Sequence, residues 1–292
     1  MLLEIGNERV RAAVDTLGGQ LHSLKLAETE YIWQRDPAFW EACAPLLFPV
    51  VGRAKDGVIE VDGRTYPMPI HGFVKDMELA PVRETEEQVT LRLTAGAATR
   101  EMYPWDFVYD VDYALLGNTL RLKFTVTNRD SREMLFCLSG HPGFNVPLVP
   151  GESFSDYQLI FEKDEPLCSD GLSAGSVILP EQRYFLPRVG NTLPLREEMF
   201  AAGNTLIFED LQSDWVELKG PSGRGVRVDF NGFPVLAFWT MGTPQCAPYL
   251  CIEPWYGMGM RSDEGTAMKD KFGVLRLEPG QVFETAFSIA VF

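Results

Sequence analysis

Three histidines, His22, His71 and His141, are all that the 292 residues contain. Two sit in tight glycine-bearing turns, His71-Gly72-Phe73 and His141-Pro142-Gly143-Phe144-Asn145. A third segment, Cys251-Ile252-Glu253-Pro254-Trp255, sets a lone carboxylate between an apolar run and an aromatic ring. Imidazole titrates nearest neutral pH, and a carboxylate can act as its partner base or acid. A chain so poor in histidine has few other places for proton transfer, so its chemistry is expected in these segments.

His71 follows Tyr66-Pro67-Met68-Pro69-Ile70, where the prolines end a strand and Gly72 permits a turn that other residues resist. That places it at the rim of a β-structure, as a ligand-binding residue or as a structural histidine bonded to a carbonyl; the local residues leave both open. His141 is better placed for chemistry than for capping, because Pro142 biases it toward an extended backbone and so aims its side chain. His22, in Gln20-Leu21-His22-Ser23-Leu24, falls at a polar strand position and is expected on the solvated surface. Glu253 ends a strand that reads as buried, where a carboxylate is costly unless paired or working. Desolvation would raise its pKa, which suits a general base; pairing with an arginine or backbone amides is the plainer reading. Arg53, after the apolar run Phe48-Pro49-Val50-Val51-Gly52, could fork onto ligand oxygens or hold Asp56 or Glu60. Trp239 and Trp255 could stack on an apolar sugar face, although tryptophan on a strand is more often core.

Other chemistries fit less well. The sequence has no G-x-S-x-G elbow and no glycine-rich phosphate loop with a lysine. His71, His141 and Glu253 could form a two-histidine-one-carboxylate metal triad, but the closely spaced histidines of such sites are missing, so no metal is expected. Glycoside hydrolysis would need a second acid about 5–10 Å from Glu253, and none can be nominated.

The elements that must position these residues are short strands. Thr119–Thr127 alternates polar and apolar residues, and Gly117-Asn118 reads as the hairpin turn joining it to Phe107–Leu115. Gln88–Leu93, Glu133–Leu138, Asp214–Leu218, Gly225–Phe230 and Val282–Val291 repeat the two-residue period between Gly, Pro and Asn breaks. Helical signals are weak, with one or two turns at Pro37–Ala42 and another at Arg196–Ala202. The pattern predicts an all-β sandwich forming a single domain over residues 1–292.

The formal charge of −15 argues against a nucleic-acid partner, which requires a basic footprint. No apolar stretch approaches the roughly 20 residues that span a bilayer, so no membrane partner is expected, and no signal peptide is apparent. Five widely spaced cysteines without a CxxC fit a reduced, cytoplasmic protein.

Four motifs in order resemble the aldose 1-epimerase (galactose mutarotase-like) family, in its LacX-like branch. They are Phe48-Pro49-Val50-Val51-Gly52-Arg53 with Asp56-Gly57, Met68-Pro69-Ile70-His71-Gly72-Phe73, Ser139-Gly140-His141-Pro142-Gly143-Phe144-Asn145-Val146-Pro147-Leu148, and Cys251-Ile252-Glu253-Pro254-Trp255. The resemblance spans nearly the whole chain. It implies a β-supersandwich with an open cleft on one sheet, no metal and no organic cofactor. It implies anomer interconversion of a small-molecule sugar, an aldose or sugar phosphate. Glu253 would be the base and His141 the acid, with His71 and Arg53 binding sugar oxygens and Trp239 matching a strand-end tryptophan. One position departs: Asn204, in Ala202-Gly203-Asn204-Thr205-Leu206-Ile207-Phe208, stands where the family often has a hydroxyl-binding aspartate. An amide can donate and accept there but carries no charge. A carbohydrate-binding or sensing protein without turnover is the alternative. It would need Arg53, His71 and Trp255 but not the His141–Glu253 pair.

Overall fold

Alternating segments pair where turn residues let the chain reverse. Phe107–Leu116 and Thr119–Asn128 form an antiparallel hairpin in which Leu116 faces Thr119 across Gly117, whose φ of 64° is the left-handed value the tight turn needs. The structure, a computed structural model, describes residues 1–173, 175–203, 205–242 and 246–292. Among the described residues this hairpin lies within a nine-stranded antiparallel sheet. Its order is Thr192–Pro194, Gln158–Phe161, Trp215–Lys219, Gly225–Asp229, Val282–Val291, Thr119–Asn128, Phe107–Leu116, Gln88–Thr94 and Ala80–Glu84.

A second large sheet carries the motifs. It runs Ile178–Phe185, Cys168–Leu172, Thr205–Glu209, Val235–Trp239, Tyr249–Tyr256, Leu138–Gly140 and Leu46–Leu47, and Gly143–Asn145 also pairs with Tyr249–Tyr256. A four-stranded sheet, Leu2–Gly6 to Thr29–Glu30, and two small ladders complete the β-structure among the described residues.

The two large sheets share a dry aromatic interior. Phe161 of the nine-stranded sheet meets Phe208 and Phe238 of the other at ring separations of 6.2 and 6.1 Å. Burying each such ring stabilises the fold by about 1.5–3 kcal/mol, and truncating one to alanine would cost about 3–5 kcal/mol. Side chains alternate along a strand, so if Phe208 and Phe238 face this interior, Thr205, Ile207 and Trp239 face the other way. That second face holds the site.

Two local expectations change, at Pro37–Ala42 and His22, and the helical turn at Arg196–Ala202 holds in 3-10 form. Pro37–Ala42 forms no helix; the Asp36 carbonyl accepts from the amides of Phe39 and Trp40 at 2.9 and 3.0 Å, making a turn. Arg196–Ala202 is a 3-10 segment, Glu197–Gly203. His22 is not solvated: its ring is only 13% exposed and lies 3.8 Å from Asp15. Burial, then Arg35, holds its pKa below the usual imidazole value, while Asp15 opposes the shift.

Candidate active site

The strand Tyr249–Tyr256 is buried on both faces, which is why it reads as a continuous apolar run with Glu253 as its one charged member. Val235–Trp239 flanks it on one side, with Ala237 opposite Glu253 and Trp239 opposite Cys251. On the other side the neighbouring strand is broken. Leu138–Gly140 pairs Ser139 with Trp255, and Gly143–Asn145 pairs Gly143 with Cys251. His141 and Pro142 fill the gap between them. Pro142 has no N–H to give the ladder, but its carbonyl accepts from Ile252 at 3.2 Å, and the His141 amide turns away to Pro45. The break therefore sets the imidazole across from the carboxylate.

His141 Nε2 lies 3.2 Å from Glu253 Oε1, and the Trp255 indole donates to Glu253 Oε2 at 3.1 Å. Both carboxylate oxygens are thus engaged in a group only 1% exposed. Burial pushes Glu253 well above the usual carboxylate range, against the Trp255 hydrogen bond. Burial, and secondarily the neighbouring His71, pushes His141 well below the usual imidazole range. Desolvation thus favours the uncharged form of each, and the 3.2 Å separation lets a proton pass between them.

His71 reaches the same place from another direction. Its backbone has φ of 65°, uncommon for a non-glycine residue, and Gly72 follows at 73°. A Cβ on Gly72 would fall 2.0 Å from the Phe48 carbonyl oxygen, so only glycine lets the turn lie against that strand. The His71 amide donates to the Gly52 carbonyl at 2.7 Å, and the Gly52 amide donates to His71 Nδ1 at 3.2 Å. Accepting at Nδ1 fixes the tautomer that carries its hydrogen on Nε2. Desolvation, then Lys75 and Arg53, lowers its pKa to about 4, so it is a neutral donor at pH 7. Its ring stands perpendicular to that of His141 at 5.3 Å.

A cavity of about 540 Å³ opens over these groups, within the range of roughly 300–1,000 Å³ common for small-molecule sites. Arg53, His71, His141, Trp239, Glu253 and Trp255 all line it. Arg53 is exposed at its rim and, among the described residues, pairs with neither Asp56 nor Glu60. Trp255 is 5% exposed and its indole N–H is committed to Glu253, so it orients the carboxylate as well as forming wall. Asn204 lies outside the described residues; its neighbour Thr205 lines the cavity.

The sequence reading missed Trp40. Its ring lies 5.2 Å from His141, 5.4 Å from Trp239 and 5.3 Å from Tyr249, so it closes an aromatic wall beside the imidazole. Trp33 Nε1 donates to the Trp40 carbonyl at 2.9 Å, and Gln20 Oε1 accepts from the amides of Cys43 and Ala44 at 2.9 and 3.0 Å. These bonds position the loop from strands distant in sequence, and no local pattern marked it. Lys75 and Asp76, an ion pair beside the 3-10 turn Val74–Asp76, also line the cavity. Among the described residues, the groups that could hold a metal are not the two histidines with Glu253. They are His141, Cys251 and Glu253, whose ligand-capable atoms lie within 4.8 Å of one another.

The family profile described as Aldose 1-epimerase matches residues 1–288. The chromosomal Protein LacX of Lactococcus lactis subsp. lactis is 33% identical over 302 residues, covering 100% of this chain and 99% of its own length. A galactose mutarotase-related enzyme from Lactobacillus acidophilus superposes with a TM-score of 0.94 at 30% identity, covering 100% of this chain and 97% of that one. A galactose mutarotase-like protein from Lactobacillus casei gives 0.93 at 29%, covering 100% of both. The chain belongs to the aldose 1-epimerase family and has the galactose mutarotase-like β fold.

Proposed function

We propose that this epimerase-family chain interconverts the α and β anomers of an aldose, with the whole chain acting as one mutarotase-like unit in the cytoplasm. The observation that carries the proposal is the buried His141–Glu253 contact in the cavity wall. Ring opening needs a proton removed from the anomeric hydroxyl and a proton delivered to the ring oxygen. Those two oxygens share one carbon, so the base and the acid must lie close together, as these do.

With the shared proton on His141, the Glu253 carboxylate takes the hydroxyl proton while the His141 imidazolium protonates the ring oxygen, leaving a neutral carboxyl and a neutral imidazole. The C1–O5 bond breaks, the aldehyde end turns over, and the ring recloses from its other face. A pair that holds one proton between two members can run either direction, because reclosure is the same step reversed. Trp255 keeps Glu253 aimed, and His71 donates from Nε2 to a sugar oxygen. Arg53 contacts hydroxyls at the rim, and Trp239 supplies an apolar face to the ring. Positioning of this kind substitutes for a cofactor, since no electron or group transfer is involved.

The test is polarimetric. Freshly dissolved α-anomers of free and phosphorylated aldoses are followed with wild type, His141→Ala and Glu253→Gln. Acceleration by wild type, lost in both variants, supports the assignment. Only the spontaneous rate across the whole panel would leave a sugar-binding protein without turnover.

A further inference from the structure

We propose that His141, Glu253 and Cys251 form a binding site for a soft divalent cation, Zn2+ or Cd2+, whose occupation blocks the acid–base pair. The metal binding does not rest on the mutarotase reading; only its inhibitory consequence does.

Cys251 lies two residues before Glu253 on the same strand, so both side chains leave the same face of the sheet. Gly143 lies opposite Cys251, and a Cβ there would meet the Trp40 ring at 3.0 Å, the Cys43 carbonyl oxygen at 3.2 Å and Cys251 Sγ at 3.4 Å, so glycine lets the broken strand pack closely over the sulfur. The ligand-capable atoms of the three residues fall within 4.8 Å of one another, and all three residues are buried. Thiolate, imidazole and carboxylate are the donors that zinc selects, and the thiolate favours cadmium further. Bonds of about 2.3 Å to sulfur and 2.0–2.2 Å to nitrogen and oxygen place tetrahedral donors about 3.3–3.6 Å apart. Closing onto an ion thus asks for side-chain movements of about 1 Å, within reach of modest rotations. His141 and Glu253 line the cavity, so an ion they hold has a free coordination position on that side.

His141 also has an unused atom. Nε2 meets Glu253, while buried Nδ1 has no hydrogen-bond partner. Ligation through Nε2, the nitrogen that already faces Glu253, puts the imidazole hydrogen on Nδ1. Cys251 is now a thiol, its pKa pushed well above the usual value by burial and the neighbouring Glu253. Binding therefore releases the thiol proton and the proton shared by the pair to solvent, and nothing is oxidised or reduced. With their lone pairs on the ion, neither His141 nor Glu253 can exchange a proton with a hemiacetal.

The experiment titrates the intact protein with Cd2+ and follows the ultraviolet absorption of cadmium–thiolate bonds. Wild type is compared with Cys251→Ser, Cys251→Ala and, as a control thiol, Cys168→Ser, each checked for fold by circular dichroism. The expected result is a saturable signal in wild type and Cys168→Ser. In both Cys251 variants affinity should fall by more than the roughly 10–100-fold that losing an outer-shell partner costs. Zn2+ should slow mutarotation by wild type reversibly, with recovery on adding a chelator, and leave folded Cys251→Ser at its uninhibited rate. A signal that survives in both Cys251 variants, or is missing from wild type, overturns the site. Equal inhibition of wild type and Cys251→Ser overturns the blocking role. If wild type has no mutarotase activity, the absorption result still decides the site.

Discussion

Replacing Trp255 by phenylalanine tests whether the indole tunes the carboxylate or only fills space. The indole donates to Glu253 Oε2 at 3.1 Å, and this bond opposes the upward push of burial on the carboxyl pKa. A hydrogen bond to a charged acceptor contributes about 1.5–3 kcal/mol, and one to a neutral acceptor about 0.5–1.5 kcal/mol. The difference, about 1–1.5 kcal/mol, is what favours carboxylate over carboxylic acid. At 1.36 kcal/mol per pKa unit, losing it raises Glu253 by about one further unit. The step that needs the carboxylate then slows about tenfold. Phenylalanine keeps most of the ring in a site only 5% exposed, so the cavity wall stays largely in place. Polarimetry over a pH series, with kcat and KM separated, should show kcat down about tenfold and KM little changed. The alkaline limb should move up by about one unit. An unchanged kcat with an unmoved alkaline limb would refute the reasoning. A loss as deep as that of Glu253→Gln would assign Trp255 a larger part than tuning.

Glu253→Gln should lower kcat by about 10²–10⁴-fold, the usual contribution of a positioned acid or base. It should also raise the melting temperature at neutral and alkaline pH. The folded Glu253 pKa is raised, so its stability contribution is complete below the ordinary value of 4.5 and is lost as pH rises toward the folded value. His141 has the opposite sign: its contribution is present above 6.5 and is lost as pH falls toward its lowered folded pKa. In the wild-type rate profile these shifts should give a plateau through neutral pH. Its acid limb should lie below the usual imidazole range and its alkaline limb above the usual carboxylate range, and two limbs meeting near 5–6.5 would refute the shared-proton argument. His71→Asn, which tolerates a φ of 65°, should fold and raise KM more than it lowers kcat, as read by initial rates. Gly72→Ala should cost about 3 kcal/mol or more in denaturant unfolding, because its Cβ would lie 2.0 Å from the Phe48 carbonyl oxygen.

The strand pattern was legible because a half-buried strand writes its two faces into alternate residues. Thr119–Asn128 and Val282–Val291 fall close to where alternation places them, and they pair directly. Glu253 was legible for a different reason: a charged residue in a run buried on both faces must be either paired or working. His22 misled, because a polar position in a short strand is exposed only if no loop covers it, and its ring is 13% exposed.

By itself the sequence determined the strongly alternating strands, such as Thr119–Asn128 and Val282–Val291, and that His141 and Glu253 occupy costly or aimed positions, because local periodicity and proline geometry act within a few residues. It could not determine that the two side chains touch. That depends on a strand broken at His141–Pro142 lying opposite Glu253, a register between segments more than a hundred residues apart. Tertiary structure alone brought Trp40 to the imidazole, added to the cavity-lining Trp255 a hydrogen bond to Glu253, and placed Cys251 beside the pair. Each of these follows from sheet neighbours and loop packing, which one-dimensional periodicity does not encode. The downward shift of His141 was decided there too, since it is the enclosing walls that remove water from the imidazole, whereas the upward shift of Glu253 already followed from its apolar strand.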